Sequence, residues 1–375
     1  MKIPSSFLPA LAACMAGIAG WPGQAVAQTP PKIKAGTTTT GAPDTSATVT
    51  TKNKGKKAVV FSFTIPRGAD GAAGAAGVAG QNGLSFNPLQ VALLKWGVYT
   101  VNNTHPVGVT PTGICFDGAN IWVANGTSNN VSKINATTGA LIANYSAGTE
   151  PESICFDGAN IWVSSGNSFN VTRIEATTGA NNGSYFVGVG FGTCFDGANI
   201  WVTNALSDNV TKLNPATGAV VGTYTYAAGS RPNAICFDGT SIWVANYIGN
   251  NVTKINPTTG ATIGTYGVGT TPYGICFDGT HVWTANASSN NVTKLDAATG
   301  ATLGTYPVGA SPYGICFDGA NIWVSNTGSA NVTKLDAATG ANLGTYPVGS
   351  SPRQICFDGT NVWVVNIGDN TVTKL

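Results

Sequence analysis

Charged residues are scarce in this chain of 375 residues, because Lys, Arg, Asp and Glu together make up only 9% of it, against roughly a quarter in an ordinary soluble domain. An apolar content of 43% excludes a charge-rich disordered chain, and a formal net charge of +2 excludes a globally basic nucleic-acid binder. Only two histidines are present, His105 and His281. We therefore predict no catalytic residue, no bound metal and no cofactor.

Long hydrophobic runs are also lacking, since no segment reaches the length of about 18 apolar residues that marks a membrane-spanning helix. The apolar stretch at residues 7–20 follows a short basic N-terminus and precedes Ala25-Val26-Ala27, which is typical of a secretory signal peptide covering residues 1–27. We expect an exported protein, located outside the cell, at its surface or in the periplasm. The sequence Leu-Ala-Ala-Cys ending at Cys14 leaves open a lipid anchor as the alternative.

Cysteine pairs with metal-binding spacing are absent, because no Cys-x-x-Cys pattern occurs. Apart from Cys14, the cysteines form an odd set of seven that share one place in a repeated motif. They cannot all pair with one another, and their bulky apolar neighbours predict small buried thiols. They are Cys115, Cys155, Cys194, Cys236, Cys276, Cys316 and Cys356.

That motif, Cys-Phe-Asp-Gly, recurs at steps of 40, 39, 42, 40, 40 and 40 residues, each time with a Trp that follows the Cys by seven positions. The copy at residues 272–309 contains four short apolar segments separated by turn residues, which predict four strands, a to d. The segments are Ile275–Asp278, Val282–Asn286, Val292–Leu295 and Thr302–Val308. Four strands in a period of about 40 residues predict a β-propeller blade.

The last copy contains only strands a, b and c before Leu375. An orphan strand d precedes the first copy, because Thr-His-Pro-Val-Gly at residues 104–108 matches Thr-Tyr-Pro-Val-Gly at residues 305–309. We predict an all-β fold with a seven-bladed β-propeller over residues 95–375, closed by this N-terminal strand, which completes the last blade. Such closure removes exposed sheet edges.

The repeats share a Pro-x-Gly-Ile start, an Asp-Gly turn, Ile/Val-Trp-Val-x-Asn, Asn-Asn-Val-Thr-Lys and a Thr-Gly turn. In these motifs residues 95–375 resemble YVTN/NHL-type seven-bladed propellers, including the streptogramin-lyase-like branch. For that branch the resemblance implies a histidine general base and magnesium held by acids at the channel. His105 and His281 do not match the expected loop position, and Glu152 has no matched partner, so no catalytic residue is carried over.

Residues that recur in every copy are predicted to serve the scaffold. We expect the Trp to pack between blades and the Asp of Asp-Gly to hold a turn. We expect the Lys or Arg of strand c to extend over the outer sheet surface with its charge in solvent.

The two faces of the predicted disc differ in how much they vary. The a–b and c–d turns share one face and hardly change between copies, whereas the d–a and b–c loops share the other face and do change. Because binding residues usually sit on variable loops of a rigid scaffold, we predict ligand contacts around this end of the central channel; a drifting, solvent-exposed loop set is the alternative. The candidates are Thr112, Glu152, Phe191, Asn233, Tyr273, Tyr313 and Arg353 in the d–a loops, and Phe169 and Tyr247 in the b–c loops.

The N-terminal part differs in composition from the repeats. Residues 28–67 carry seven Lys or Arg and a single acid, and alternating residues predict a basic β-hairpin module there. Residues 68–94 begin with glycine at every third position as far as Gly83, which predicts a collagen-like segment and linker, with a flexible linker as the alternative. This part resembles collagen-like segments of bacterial surface and phage-tail-associated proteins.

These patterns favour a secreted or surface-displayed, non-enzymatic binding propeller on a collagen-like stalk. The expected partner is an extracellular ligand (protein, glycan or small molecule) and not a nucleic acid. A homotrimer through the collagen-like segment, and contact of the basic arm with an anionic surface polymer, are further expectations. A lyase-like enzyme acting at the central channel and a structural spacer are the alternatives.

Overall fold

The computed structural model describes residues 32–41, 48–53, 58–66, 103–225 and 229–375. The chain divides into two compact units, Met1–Tyr99 and Thr100–Leu375. Among the described residues, no helix is long and apolar enough to cross a bilayer. The signal peptide and the collagen-like segment predicted from the sequence lie outside these ranges.

Three strands are described in the first unit: β1 (Lys32–Gly41), β2 (Thr48–Asn53) and β3 (Ala58–Pro66). Strands β2 and β3 pair antiparallel, with Thr48 opposite Thr64, at the place where the sequence predicts a hairpin. Strand β1 adds to β3 in parallel. It was not predicted, because its run of four threonines lacks the alternation of apolar and polar residues that marks a strand.

Seven four-stranded antiparallel sheets make up the second unit. Blades 1 to 3 are β5 (Pro111–Phe116), β6 (Asn120–Asn125), β7 (Asn130–Asn135), β8 (Leu141–Ser146); β9 (Pro151–Phe156), β10 (Asn160–Ser165), β11 (Asn170–Glu175), β12 (Asn181–Phe186); and β13 (Gly190–Phe195), β14 (Ile200–Asn204), β15 (Asn209–Leu213), β16 (Val220–Thr225).

Blades 4 to 6 are β17 (Pro232–Phe237), β18 (Ile242–Asn246), β19 (Asn251–Ile255), β20 (Thr262–Gly267); β21 (Pro272–Phe277), β22 (His281–Asn286), β23 (Asn291–Asp296), β24 (Thr302–Pro307); and β25 (Pro312–Phe317), β26 (Asn321–Asn326), β27 (Asn331–Asp336), β28 (Asn342–Pro347). Blade 7 combines β29 (Pro352–Phe357), β30 (Val362–Asn366) and β31 (Thr371–Lys374) with β4 (Asn103–Pro106).

The ring closes as the sequence predicts. Strand β4 pairs antiparallel with β31, which places His105 opposite Val372. The innermost strands contact one another in a complete circle from β5 through β9, β13, β17, β21, β25 and β29 back to β5. The prediction of a seven-bladed propeller closed by an N-terminal strand is confirmed.

The core lies between neighbouring blades. Trp122 and Val131 of blade 1, for example, pack against Ile161 and Ile174 of blade 2, and all four side chains are fully buried. Strand b of each blade is buried on both faces, because a sheet stands on either side of it. The predicted position of the tryptophans is therefore confirmed.

Each Asp-Gly turn is tied to the Trp of its own blade. In blade 4, Asp238 Oδ1 accepts the backbone N–H groups of Thr240 and Ser241 at 2.7 and 2.6 Å, and Asp238 Oδ2 accepts the indole N–H of Trp243 at 2.7 Å. The same Asp–Trp bond measures 2.7 to 2.8 Å in every blade. Burial raises the pKa of Asp238, but these donors outweigh it and hold that pKa below its usual range.

The prediction for the strand-c cation is wrong, because this side chain does not carry its charge into solvent. Lys254 Nζ lies 5.1 Å from the centroid of the Trp243 ring and donates to the carbonyl of Ala297 in the next blade at 2.6 Å. All seven cations lie 4.8 to 5.7 Å from the Trp of their blade, and six of them donate to a carbonyl of the next blade. The ring face attracts the cation while the cation satisfies a turn carbonyl.

A tyrosine of strand d lies on the same sheet face as this Trp and its cation. Tyr266 packs against Trp243 with tilted rings and a centroid separation of 5.6 Å, and it leaves no space for a Cβ at Gly300 of the next blade, whose φ is +77°. In blade 7 the equivalent residue is His105, 5.7 Å from Trp363. Burial and the charge of Lys374 lower the pKa of His105, which makes this histidine a neutral scaffold residue.

Replacing Lys254 by Met keeps the apolar stem over Trp243 but removes the ammonium. We expect the free energy of unfolding to fall by about 1.5 to 3 kcal/mol, the range for a hydrogen bond to a charged group, because the Ala297 carbonyl loses its donor. Urea denaturation measures this loss. Lys334→Met is the matched control, since Lys334 stacks on Trp323 at 4.8 Å and donates no hydrogen bond to a described residue. An equal loss in both variants would contradict the capping role.

Candidate functional site

The variable d–a loops meet at one end of the central channel. A cavity of about 120 Å³ lies there, and residues from all seven blades line it. Glycines in the innermost strands keep the channel narrow: a Cβ at Gly113 would stand 2.8 Å from the Glu152 carbonyl oxygen of the next blade. This end, with Glu152, Phe191, Tyr273, Tyr313 and Arg353 around it, is termed the channel mouth.

Aromatic side chains from consecutive blades stack along one side of the channel mouth. The rings of Tyr247 and Tyr273 are 4.9 Å apart and tilted, and those of Tyr273 and Tyr313 are 4.5 Å apart and stacked. The guanidinium of Arg353 covers the Tyr313 ring at 5.1 Å. Four blades thus contribute one continuous row that ends in a positive charge.

The electrostatics of the channel mouth combine a carboxyl, two neutral phenols and this cation. Burial raises the pKa of Glu152, and the charge of Arg353 opposes that rise. Burial also raises the pKa of Tyr313 and of Tyr273, the latter helped by its hydrogen bond with Tyr247. Both hydroxyls therefore keep their protons at neutral pH and are able to donate or accept hydrogen bonds.

A second cavity, of about 200 Å³, adjoins the channel mouth between blades 3 and 4. It is lined by Phe191, Ala205, Leu206, Arg231, Asn233, Tyr247 and Tyr273. The Asn233 amide is committed to the scaffold, because its Nδ2 donates to the Tyr273 carbonyl at 3.0 Å. Phe191 and Asn233 line both cavities, so the two form one concave surface.

The structure brings most of the predicted site residues together. Thr112, Glu152, Phe191, Asn233 and Tyr313 line the channel cavity, Tyr247 and Tyr273 line the second, and Arg353 covers Tyr313. Thr112 serves the scaffold there, since it is buried and its hydroxyl donates to the Pro151 carbonyl of the next blade at 2.7 Å.

Phe169 does not belong to this group. It lines neither cavity, and its side chain is 46% exposed. Its backbone has a φ of +56°, and its carbonyl accepts the N–H groups of Val187 and Gly188. The backbone of Phe169 therefore joins the b–c loop of blade 2 to the residues that follow β12.

Sequence reasoning missed Ala205, Leu206 and Arg231. The signal that would have found Leu206 is a departure from the repeat, because five of the other six copies carry a small or polar residue at its position.

Comparison with known proteins shows the family of the propeller. The sequence model of the family described as "Outer membrane protein assembly factor BamB" matches residues 96–346. The chain belongs to this family. No curated protein matches the BamB-type chain.

Solved structures similar to this BamB-type chain share its fold. A streptogramin B lyase is 18% identical with a TM-score of 0.64, covering 73% of this chain and 96% of the lyase. A catalytically inactive virginiamycin B lyase from Staphylococcus aureus with quinupristin is 19% identical, with a TM-score of 0.63 and coverages of 73% and 99%. Hydrazine synthase from Kuenenia stuttgartiensis is 17% identical, with a TM-score of 0.64 and coverages of 75% and 98%. At these identities the likeness shows the propeller alone, which confirms the resemblance to streptogramin-lyase-like propellers at the level of fold.

The histidines lie away from the channel mouth. His281 belongs to the opposite face, where its Nδ1 is 3.1 Å from Asp278 Oδ2 in the a–b turn of blade 5. His105 packs on Trp363 in the closing strand. Within the described residues, no group of three or more His, Cys, Asp or Glu side chains is placed to hold a metal ion.

The seven repeated cysteines are free thiols. Burial raises the pKa of each, to about 12 in Cys155, and well above its usual range in Cys115 and Cys194. By surface area the seven side chains are half-buried and not fully buried as predicted. They pack beside the tryptophans, as Cys236 does in the cluster of Trp243, and their raised pKa keeps them in the less reactive thiol form.

Proposed function

We propose that this chain is an exported, non-enzymatic binding propeller that holds its ligand at the channel mouth. The row formed by Tyr247, Tyr273, Tyr313 and Arg353 supports this proposal most directly. Tyrosine and arginine carry a large share of the energy at binding sites. None of these four side chains occupies a repeat-wide scaffold position, unlike the tyrosines and cations that cover each Trp.

The opposite face offers much less to a ligand. In its Asp-Gly turns, the Asp carboxylates accept hydrogen bonds from backbone N–H groups and from the indoles. In its Thr-Gly turns, Thr, Asn or Asp side-chain oxygens accept hydrogen bonds from backbone N–H groups. The polar groups there are already paired within the turns, which favours the variable face as the working surface.

Two observations support an exported location. The N-terminal residues fit a signal peptide, and the family description refers to outer-membrane protein assembly. We propose a periplasmic or outer-membrane-associated protein, whose ligand is a protein, glycan or small molecule. The trimeric stalk and the contact of the basic arm with an anionic polymer remain proposals for the N-terminal part. A lyase-like activity gains no support from His105 or His281, since neither is at the channel mouth.

The combined variant Tyr273→Ala, Tyr313→Ala and Arg353→Ala tests the proposal. A screen of glycans and small molecules against the purified chain identifies a ligand, and calorimetry measures its affinity. We expect the variant to lose about 100-fold or more in affinity, since residues of this type at binding centres contribute about 2 kcal/mol or more each. We expect its melting temperature to change far less than its affinity.

Tyr306→Ala is the matched control, because Tyr306 lies on the outer strand of blade 5 and packs against Trp283 with tilted rings, 5.6 Å between centroids. This control is expected to lower the melting temperature and to leave the affinity unchanged. Undiminished affinity in the triple variant would remove the channel mouth as the binding site.

A further inference from the structure

The cavity between blades 3 and 4 has a mostly apolar wall. Phe191, Tyr247 and Tyr273 contribute aromatic rings, and Ala205 and Leu206 contribute aliphatic groups. Leu206 is 63% exposed, which leaves an aliphatic side chain open to water at the rim. An apolar surface of this kind, with a few polar groups placed around it, is typical of a ligand pocket.

The repeat itself shows that this apolar character is not needed by the scaffold. In the b–c loops, the place of Leu206 and of Ile248 is filled in the other five blades by Thr127, Asn167, Ser288, Gly328 and Gly368. Ile248 is 49% exposed. Seven copies of one blade therefore provide an internal control, in which only blades 3 and 4 carry a large aliphatic residue at this loop position.

The positively charged side chains of the propeller indicate which charge a ligand would carry. The described part of the propeller contains nine Lys or Arg residues, and seven of them are the cations that cover the tryptophans. The two that remain lie at the variable face: Arg231 in the d–a loop before β17, and Arg353 near the start of β29. One lines the apolar cavity and the other ends the aromatic row.

The backbone of Arg231 is held by hydrogen bonds through both its N–H and its carbonyl group. Its N–H donates to Asp208 Oδ1 at 2.8 Å, and its carbonyl accepts the N–H of Tyr247 at 3.0 Å. The Asp208 carboxylate is engaged by backbone N–H groups, since its Oδ2 accepts from Gly229 at 2.7 Å. No ion pair joins the Arg231 guanidinium to a carboxylate of the described residues.

We propose that this cavity binds an apolar group of about one side chain's size that carries a carboxylate. The apolar group lies against Phe191, Tyr247, Tyr273 and Leu206, and the carboxylate accepts hydrogen bonds from Arg231. A long alkyl chain does not fit this description, because the adjoining channel cavity is lined by polar groups such as Glu152, Ser153 and Thr193. The inference rests on the proposed function and names the ligand chemistry of one part of that surface.

Calorimetry on the full chain with matched probes tests this inference. The probes are 3-phenylpropionate, its amide and 2-phenylethylamine. An N-acetylated tripeptide ending in Phe, with a free or an amidated carboxyl, distinguishes a peptide terminus from a small-molecule acid. We expect the acids to bind at least tenfold more tightly than the amides, and the amine to bind most weakly.

Variants locate the bound acid. Arg231→Gln is expected to weaken binding of the acids at least tenfold and to leave the weaker amides unchanged. Leu206→Ser is expected to weaken acid and amide alike, by about tenfold. Leu343→Ser is the control, because Leu343 is similarly exposed, at 51%, on the outer strand of blade 6.

The outcomes separate this inference from the proposed function. Equal affinity for acid and amide overturns the inference, and so does an acid affinity that Arg231→Gln leaves unchanged. If the acid affinity survives Arg231→Gln and Leu206→Ser but is lost in the triple variant of the channel mouth, the proposed function stands and this inference fails. The absence of binding by any of these probes overturns the inference alone, since the channel mouth would then serve a ligand of other chemistry.

Discussion

Replacing Trp243 by Ala is expected to lower the free energy of unfolding by about 3 to 5 kcal/mol, the usual range for truncating a buried Trp. The side chain is fully buried between blades 4 and 5. The ammonium of Lys254 and the ring of Tyr266 also lie against the Trp243 ring. The substitution therefore removes the packing against blade 5 and both of these contacts. Urea denaturation monitored by circular dichroism measures the change.

Trp243→Phe separates ring packing from the hydrogen bond. The phenyl ring keeps most of the apolar contact but provides no N–H for Asp238, so we expect a loss well below that of the Ala variant. Equal stability of the Ala variant and the unmodified chain would contradict the role of the tryptophans as the centre of each interface between blades.

Removing residues 1–108 is expected to destabilise the propeller, because β31 then becomes an unpaired edge and Trp363 loses the cover of His105. Strand β4 pairs with β31 over four residues. At a net value of about 1 kcal/mol per hydrogen bond, we expect a loss of about 3 to 4 kcal/mol. For a propeller of this size that loss corresponds to a melting temperature lower by roughly 6 to 15 °C.

A chain lacking residues 1–99 provides the control, since it retains β4 and matches the boundary between the two compact units. Calorimetric melting of the two truncated chains gives the comparison. We also expect the shorter one to associate, because an exposed strand edge pairs readily with other chains. Coincident melting of both would contradict closure of the ring by β4.

The blade architecture was readable from the sequence because it rests on local signals: a period of about 40 residues, turn residues and short apolar strands. The role of the strand-c cations could not be predicted from the sequence, because the carbonyl that accepts the Lys254 hydrogen bond belongs to the next blade, 43 residues away. That contact is a property of the assembled ring. The match of Thr-His-Pro with Thr-Tyr-Pro implied that His105 takes the place of the strand-d tyrosine of other blades. The structure adds that its ring contacts Trp363.

At the candidate site, sequence reasoning worked where the innermost strands carry the residue. Strand a lines the channel, so any variable residue near its start comes to the channel mouth, as Glu152 and Tyr313 do. The two b–c loop candidates differ in position, since Tyr247 lines the second cavity and Phe169 lines neither cavity. The direction of a loop side chain depends on the local backbone, which the repeat alone does not determine.

Hydrogen exchange measured by mass spectrometry, with and without the tightest ligand from the binding screen, tests the central claim most directly. If the variable face is the working surface, exchange slows at residues 229–233, 246–250, 269–274 and 309–314. It stays unchanged at the Asp-Gly and Thr-Gly turns of the opposite face. Protection confined to those turns, with none around Tyr273 and Tyr313, would contradict the account.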